Sequence, residues 1–169
     1  MRVKCAFLDR DGVLNKNLNG GYIGFKKNFK WVSGAKSAIK LLNKLKYKVV
    51  VITNQSGIAR GYFTKKDVKK LHEFMINDLD KNGAKIDKIF VCPHHVDGKL
   101  SYYKKKCKCR KPGILNFLKT KKIWDIDLKN SFMIGDQITD MEFAKKCNIK
   151  GFLFKEKNLS KFIKKKLYI

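Results

Sequence analysis

Apolar positions along this chain alternate between two periods. At residues 3–8, Val-Lys-Cys-Ala-Phe-Leu closes in an unbroken apolar run, as expected of a strand buried on both faces. Over 34–46, Ala35, Ala38, Ile39, Leu42 and Leu45 recur at helical spacing behind Ser33, a candidate N-cap. The Val-rich stretch 47–52 reads as a second strand. Thr64 is placed to cap a helix over 65–81 whose Val68, Leu71, Met75 and Leu79 share one face. Residues 86–91 read as a third strand and 113–122 as a helix after Pro112, a favoured helix-start residue. A fourth strand follows at 131–134, a short helix at 139–147 and a fifth strand at 151–154. The Lys-rich stretch 158–167 reads as a last short helix or a frayed tail.

Strands separated by helices predict an α/β architecture, a Rossmann-like parallel sheet with helices on both faces. With 169 residues, 44% of them hydrophobic, and no repeat or linker, the chain is expected to form one domain, 1–169. Ligands of such sheets bind beyond the carboxyl ends of the strands. Those exits carry Asp9-Arg10-Asp11, Thr53-Asn54-Gln55-Ser56, Cys92-Pro93-His94 and Gly135-Asp136.

Charge changes the picture less than its size suggests. Lys and Arg total 40 against 14 acids, a formal net charge of +26. Only four of the basic residues are Arg, the residue that reads bases and phosphates with a bidentate fork, and three of those (Arg10, Arg60, Arg110) fall inside the motifs described here. A Lys excess spread over solvated helix faces disfavours nucleic acid as the true substrate, although polyanions will be attracted. No apolar run approaches a membrane span, no secretory segment opens the chain, and a cytoplasmic monomer is expected.

Asp9 and Asp11 form a carboxylate pair that is either a polar turn or a site of divided labour, one group a nucleophile and metal ligand, the other an acid and base. Asp136 adds a second carboxylate for Mg²⁺, Thr53 a hydroxyl and Lys111 a fixed cation. A metal, a cation and hydrogen-bond donors are most of what phosphoryl transfer needs.

The order Asp9-x-Asp11-Gly12, Thr53-Asn54, Lys111, and Gly135-Asp136 with Asp140 resembles the four motifs of the haloacid dehalogenase superfamily of phosphatases. Thr-Asn-Gln-Ser-Gly-Ile-Ala-Arg-Gly at 53–61 and Cys-x-Cys-Arg-Lys-Pro at 107–112 resemble more closely the D-glycero-D-manno-heptose 1,7-bisphosphate phosphatases and the related histidinol-phosphate phosphatases. The resemblance implies that Asp9 attacks phosphorus and that Asp11 protonates the leaving sugar oxygen, then deprotonates water. It implies Mg²⁺ on Asp9, Asp136 and the backbone carbonyl of Asp11, with Thr53 and Lys111 steadying the phosphoryl group. Arg10, Gly21, Tyr22, Asn54, Gln55, Ser56, Arg110 and Gln137 form the implied substrate-facing set. Gln137 stands where that family commonly carries Lys, and Gly113 where it carries a second Pro.

Cys92, a histidine, Cys107 and Cys109 match the donor set of a closed structural zinc site, and the resemblance selects His94 over the adjacent His95. A zinc ion there would close the polar stretch 96–106 and fix Arg110 and Lys111 at its exit. Cys5 and Cys147 read as buried apolar residues. The segment between Asp11 and the first helix is short and the cysteine loop fills the other insertion point, so an open, capless site is expected, with loops 15–30, 54–61 and 95–110 meeting a phosphorylated sugar. Histidinol phosphate is the alternative with the same chemistry. A polynucleotide 3′-phosphatase and a non-enzymatic nucleic-acid-binding zinc protein stand behind it.

Overall fold

The computed structural model describes residues 2–18 and 20–169; Met1 and Asn19, the latter inside the expected 15–30 recognition loop, lie outside the described residues. Five strands, β1 (Lys4–Leu8), β2 (Tyr47–Asn54), β3 (Lys88–Cys92), β4 (Phe132–Gly135) and β5 (Lys150–Leu153), form one parallel sheet in the order β3-β2-β1-β4-β5. The helices are α1 (Ala35–Lys44), α2 (Ser56–Ala59), α3 (Lys65–Asp80), α4 (Leu115–Ile123), α5 (Ile138–Lys146) and α6 (Leu159–Leu167).

The period of two in the strands sorts the apolar side chains onto two faces. Ala6, Leu8, Val49, Val51, Phe132 and Ile134 face Ile39 and Leu42 of α1, Leu71 and Met75 of α3, and Phe162 of α6. Cys5, Phe7, Val50, Ile52 and Met133 face Phe117 of α4 and Phe143 and Ala144 of α5. Helices therefore cover both faces, as expected. The 158–167 segment is a helix rather than a tail, because Leu159, Phe162 and Ile163 are buried. Burial worth roughly 1.5–3 kcal/mol for each such side chain outweighs the marginal stability of a short isolated helix.

Three local expectations are corrected and one element is added. Ser33 does not cap α1; Gly34 holds that position with φ 74°, where a side chain would strike Asn158. Ser33 instead accepts from Asn158, whose own side chain caps α6. The third strand starts at Lys88 rather than 86, because the carboxylate of Asp87 accepts from the Val49 N–H at 2.9 Å in place of a ladder bond. Helix α4 starts at Leu115, since the Gly113 and Leu115 N–H groups turn back onto the Arg110 and Lys108 carbonyls at 2.6 and 3.0 Å. Finally, α2 carries no helical signal in its Ser-Gly-Ile-Ala sequence, yet all four residues are buried.

Strand order reverses at β1, whose neighbours are β2 on one side and β4 on the other. A crevice opens at such a switch point beyond the carboxyl ends, and Asp9 and Asp136 sit on its two sides. Among the described residues, the 12–34 segment holds one short turn of helix, Lys26–Asn28, and residues 93–114 hold none, so neither insertion point carries a cap.

Thr64 caps α3 as expected, in a reciprocal box with Asp67. Thr64→Ala should lower stability by about 1 kcal/mol, a fall of roughly 2–4 °C in melting temperature. Thermal unfolding followed by circular dichroism tests this.

Candidate active site

Chain geometry brings the exits of β1, β2 and β4 together with the end of the cysteine loop. Asp9, Asp11, Asn17, Asn54, Arg110, Lys111 and residues 136–140 line a cavity of about 400 Å³. A larger cavity of about 530 Å³ lies between α3 and edge strand β3, but it contains none of Asp9, Asp11 or Asp136. Chemistry, not volume, marks the smaller one as the site.

At its floor is a buried ionic triad. The Lys111 ammonium lies 2.9 Å from Asp9 Oδ1 and 2.6 Å from Asp140 Oδ1, with Lys111 and Asp140 almost fully enclosed. Burial pushes the Asp9 carboxyl up to about 7, and the charges of Asp140 and Asp11 add to that rise; Lys111 opposes them. Lys111 stays above its ordinary value because the two carboxylates outweigh its own burial. The backbone at Lys111 is clamped too: its N–H donates to Asn54 Oδ1 and its carbonyl accepts from Asn54 Nδ2, at 2.9 and 3.2 Å.

Asp136 is held on one side only. Asn17 and Gln137 both donate to its Oδ2 at 3.0 Å, while Lys155 Nζ donates to its backbone carbonyl at 2.6 Å. Its Oδ1 is thereby left for another partner. Oxygens of Asp9, Asp136 and Asp140 lie within 4.8 Å of one another. Such a set of hard donors suits Mg²⁺. Asp140 uses Oδ1 on Lys111 and Oδ2 on the Gln137 N–H, whereas Asp9 keeps Oδ2 and Asp136 keeps Oδ1, so Asp9 and Asp136 are the available ligands. Gly12 has φ 83°, and any side chain on it would strike the Asp136 carboxylate.

Several residues of the expected substrate-facing set turn inward instead. Arg10 is fully buried and grips Asp11 with Nε and Nη2, so it touches its neighbour and not the cavity. Gln55 is buried and donates to Asp11 Oδ2 at 2.7 Å and to Thr53 Oγ1 at 2.8 Å. Thr53 and Ser56 are buried and do not line the cavity. Asn54 lines the cavity while holding Lys111. Gly21 and Tyr22 line a neighbouring groove with Tyr62 and Phe63, the Tyr22 and Tyr62 rings 5.2 Å apart. Arg110 and Gln137 do line the cavity. Sequence reasoning missed Asn17 and Lys155, and it gave Asp140 no role; isolated Asn and Lys residues in loops of this composition carry no signal.

The Sγ atoms of Cys92, Cys107 and Cys109 lie 3.1–3.5 Å apart. His94 Nδ1 lies 3.4 Å from Cys109 Sγ and 3.9 Å from Cys92 Sγ. A tetrahedral zinc with bonds of about 2.3 Å to sulfur would space them about 3.7 Å apart, so the cluster fits that ion with a small expansion. His95 turns away and accepts from the Asp97 N–H.

A family model described as polynucleotide kinase 3 phosphatase matches residues 4–157. A D-glycero-beta-D-manno-heptose-1,7-bisphosphate 7-phosphatase of Rhodopseudomonas palustris is 45% identical over 166 residues, 98% of this chain and 91% of that protein. The chain belongs to this phosphatase family. A second such relative, from Yersinia pestis, is 40% identical over 87% of this chain and 77% of its own. Among solved structures, the D,D-heptose 1,7-bisphosphate phosphatase from B. bronchiseptica, complexed with magnesium and phosphate, matches with a TM-score of 0.81 and 30% identity over 96% of this chain and 87% of that one. The phosphatase thus shares sequence and fold with enzymes of one named activity. No helix among the described residues is long and apolar enough to cross a membrane.

Asp9 titrates above the 3.8 of an unperturbed carboxyl. The folded state therefore binds more protons than the unfolded state between about pH 4 and 7, and this group's contribution to stability falls as pH rises through that window. Without added divalent cation, Asp9→Asn should flatten that fall and leave the variant more stable than its parent at pH 8, by on the order of 1–3 kcal/mol. Urea midpoints at pH 4.5 and pH 8 measure the difference.

Proposed function

We propose that this phosphatase removes the 7-phosphate of D-glycero-D-manno-heptose 1,7-bisphosphate through an aspartyl-phosphate intermediate, working as a single domain and a monomer in the cytoplasm. The observation that carries the substrate is the 45% identity to a named heptose bisphosphatase over 98% of the chain, together with the strand-exit carboxylates.

In this reading Asp9 is the nucleophile. Its carboxylate attacks phosphorus as the bond from phosphorus to the sugar oxygen breaks, and Asp11 delivers the proton that the sugar oxygen takes. Asp11 then takes a proton from water as the water oxygen attacks phosphorus. That step breaks the bond to Asp9 and frees inorganic phosphate. Lys111, fixed 2.9 Å from Asp9, supplies positive charge to the phosphoryl oxygens. The Thr53 hydroxyl supports the same group from below. Asp9, Asp136 and the Asp11 carbonyl would hold Mg²⁺, which adds Lewis-acid charge to the phosphoryl oxygens when bound.

The substrate's second phosphate needs its own cations. Arg110 lines the cavity, and Arg110 and Arg60 are the cations assigned to that phosphate in this reading. Tyr22 and Gly21 stand beyond the cavity, with Arg60 6.0 Å from the Tyr22 ring centroid. Asn54 and Gln137 complete the contacts nearest the reacting phosphoryl group. Zn²⁺ on Cys92, His94, Cys107 and Cys109 would staple the loop that ends in Arg110 and Lys111.

The family-model description and the net charge of +26 support one competing substrate, a 3′-phosphorylated polynucleotide. Phosphate release with Mg²⁺ from heptose 1,7-bisphosphate, histidinol phosphate and a 3′-phosphorylated oligonucleotide should favour the heptose by at least ~100-fold in kcat/KM, a margin within the reach of buried polar recognition. Asp9→Asn should abolish turnover. Preference for another ester would overturn the substrate and keep the chemistry. Stripping zinc with a chelator, then restoring Mg²⁺, should lower both melting temperature and kcat, because Lys111 loses its anchored loop. Unchanged values on both counts would remove zinc from the account.

A further inference from the structure

Arg10 raises a question that its expected role does not answer. A guanidinium is charged at any ordinary pH, and burying one requires partners for its N–H groups. Arg10 is fully enclosed. Its Nε donates to Asp11 Oδ1 at 3.1 Å, and its Nη2 reaches Asp11 Oδ1 at 2.9 Å, Asp11 Oδ2 at 3.1 Å and the Ile23 carbonyl. Nη1 faces the other way and meets His72 Nε2 at 3.1 Å.

Because Arg has no acceptor, Arg10 must be the donor and His72 Nε2 must carry a lone pair. Burial, and then the Arg10 charge itself, push His72 down to about 3, which keeps that lone pair free at any working pH. His72 projects from the middle of α3, between Leu71 and Met75, where an apolar residue would pack as well. An imidazole at that point is explained by its acceptor.

We propose that His72 is a positioning residue for Asp11. It fixes the far end of the Arg10 fork, and the fork fixes the plane of the Asp11 carboxylate from which the leaving oxygen is protonated. This inference rests on the proposed acid–base role of Asp11.

The test exploits the leaving group. A sugar alkoxide needs Asp11's proton as it departs, whereas p-nitrophenolate does not. His72→Leu should lower kcat/KM for the heptose bisphosphate by roughly 10- to 100-fold, the scale of a small misplacement of a catalytic group, and leave p-nitrophenyl phosphate within about threefold of the parent. His72→Gln sets an amide oxygen near the lost Nε2 and should restore the sugar reaction. His72→Asn carries the same amide one methylene shorter and should not; it serves in place of Leu if that variant fails to fold. Equal losses on both substrates, no loss on either, or failure of Gln to rescue would each overturn the proposal. Asp11→Asn is the control for the underlying role: if it loses the sugar reaction selectively, those outcomes fall on the positioning alone, and if it shows no dependence on the leaving group, the acid assignment falls and the positioning proposal with it.

Discussion

The buried triad of Asp9, Lys111 and Asp140 is the constraint on which this molecule is organised. Two carboxylates enclosed by protein cannot stay ionised without a cation, and an enclosed Lys cannot stay charged without carboxylates. Each member comes from a different part of the chain: the exit of β1, the end of the cysteine loop and the first turn of α5. Removing Lys111, the one cation of the group, strands buried carboxylates without compensation, a loss that typically costs about 3–5 kcal/mol. The triad therefore couples the sheet, the loop and the helix to the position of Asp9. The Asn54 clamp on the Lys111 backbone extends that coupling to β2.

What was legible in the sequence follows from this. Period-two and period-3.6 patterns are set by burial, so all five strands and the longer helices could be read from them. Asp9, Asp11 and Asp136 could be read because carboxylates crowd at strand exits. Roles that depend on direction could not. Arg10 looks like a substrate residue in the sequence, yet it points backwards into the protein, and nothing local encodes that. Gln55 and Asn54 carry amides suited to a ligand, yet Gln55 holds Asp11 and Asn54 holds Lys111. His72 sits at a core position of an amphipathic helix, and its partner is 62 positions away. Ser33 failed as a cap because Gly34 and Asn158 solved that helix start through a tertiary contact, which no local rule contains.

The net charge of +26 also deserves a local reading. Around the reacting centre the excess disappears. Asp9, Asp11, Asp136 and Asp140 converge there with Lys111, Arg110, Arg10 and Lys155. A phosphate ester carrying two negative charges would meet carboxylates already matched to these cations, with no positive charge to spare. The many surface lysines do little to change this, since charges beyond about 8–10 Å are screened at physiological salt. A dication on Asp9 and Asp136 would make the local sign positive and also draw down the raised Asp9 carboxyl, giving the ionised group that the proposed mechanism needs.

The two carboxylates to which the proposed mechanism gives separate tasks are held by two frameworks. Asp9 is governed through Lys111, Asn54 and the cysteine loop, which lie towards β2 and β3. Asp11 is governed through Arg10, Asn15 and Gln55, and through His72 on α3. The frameworks share no side chain and meet at the Arg10 backbone, whose N–H donates to Asp9 Oδ1 at 2.8 Å. Loosening the loop should disturb attack on phosphorus, whereas loosening the contact with α3 should disturb proton delivery. An aspartyl-phosphate enzyme needs both carboxylates close together but in different states, one bare and one exchanging a proton. Supporting them from opposite sides lets neighbouring residues of one strand exit keep those states apart.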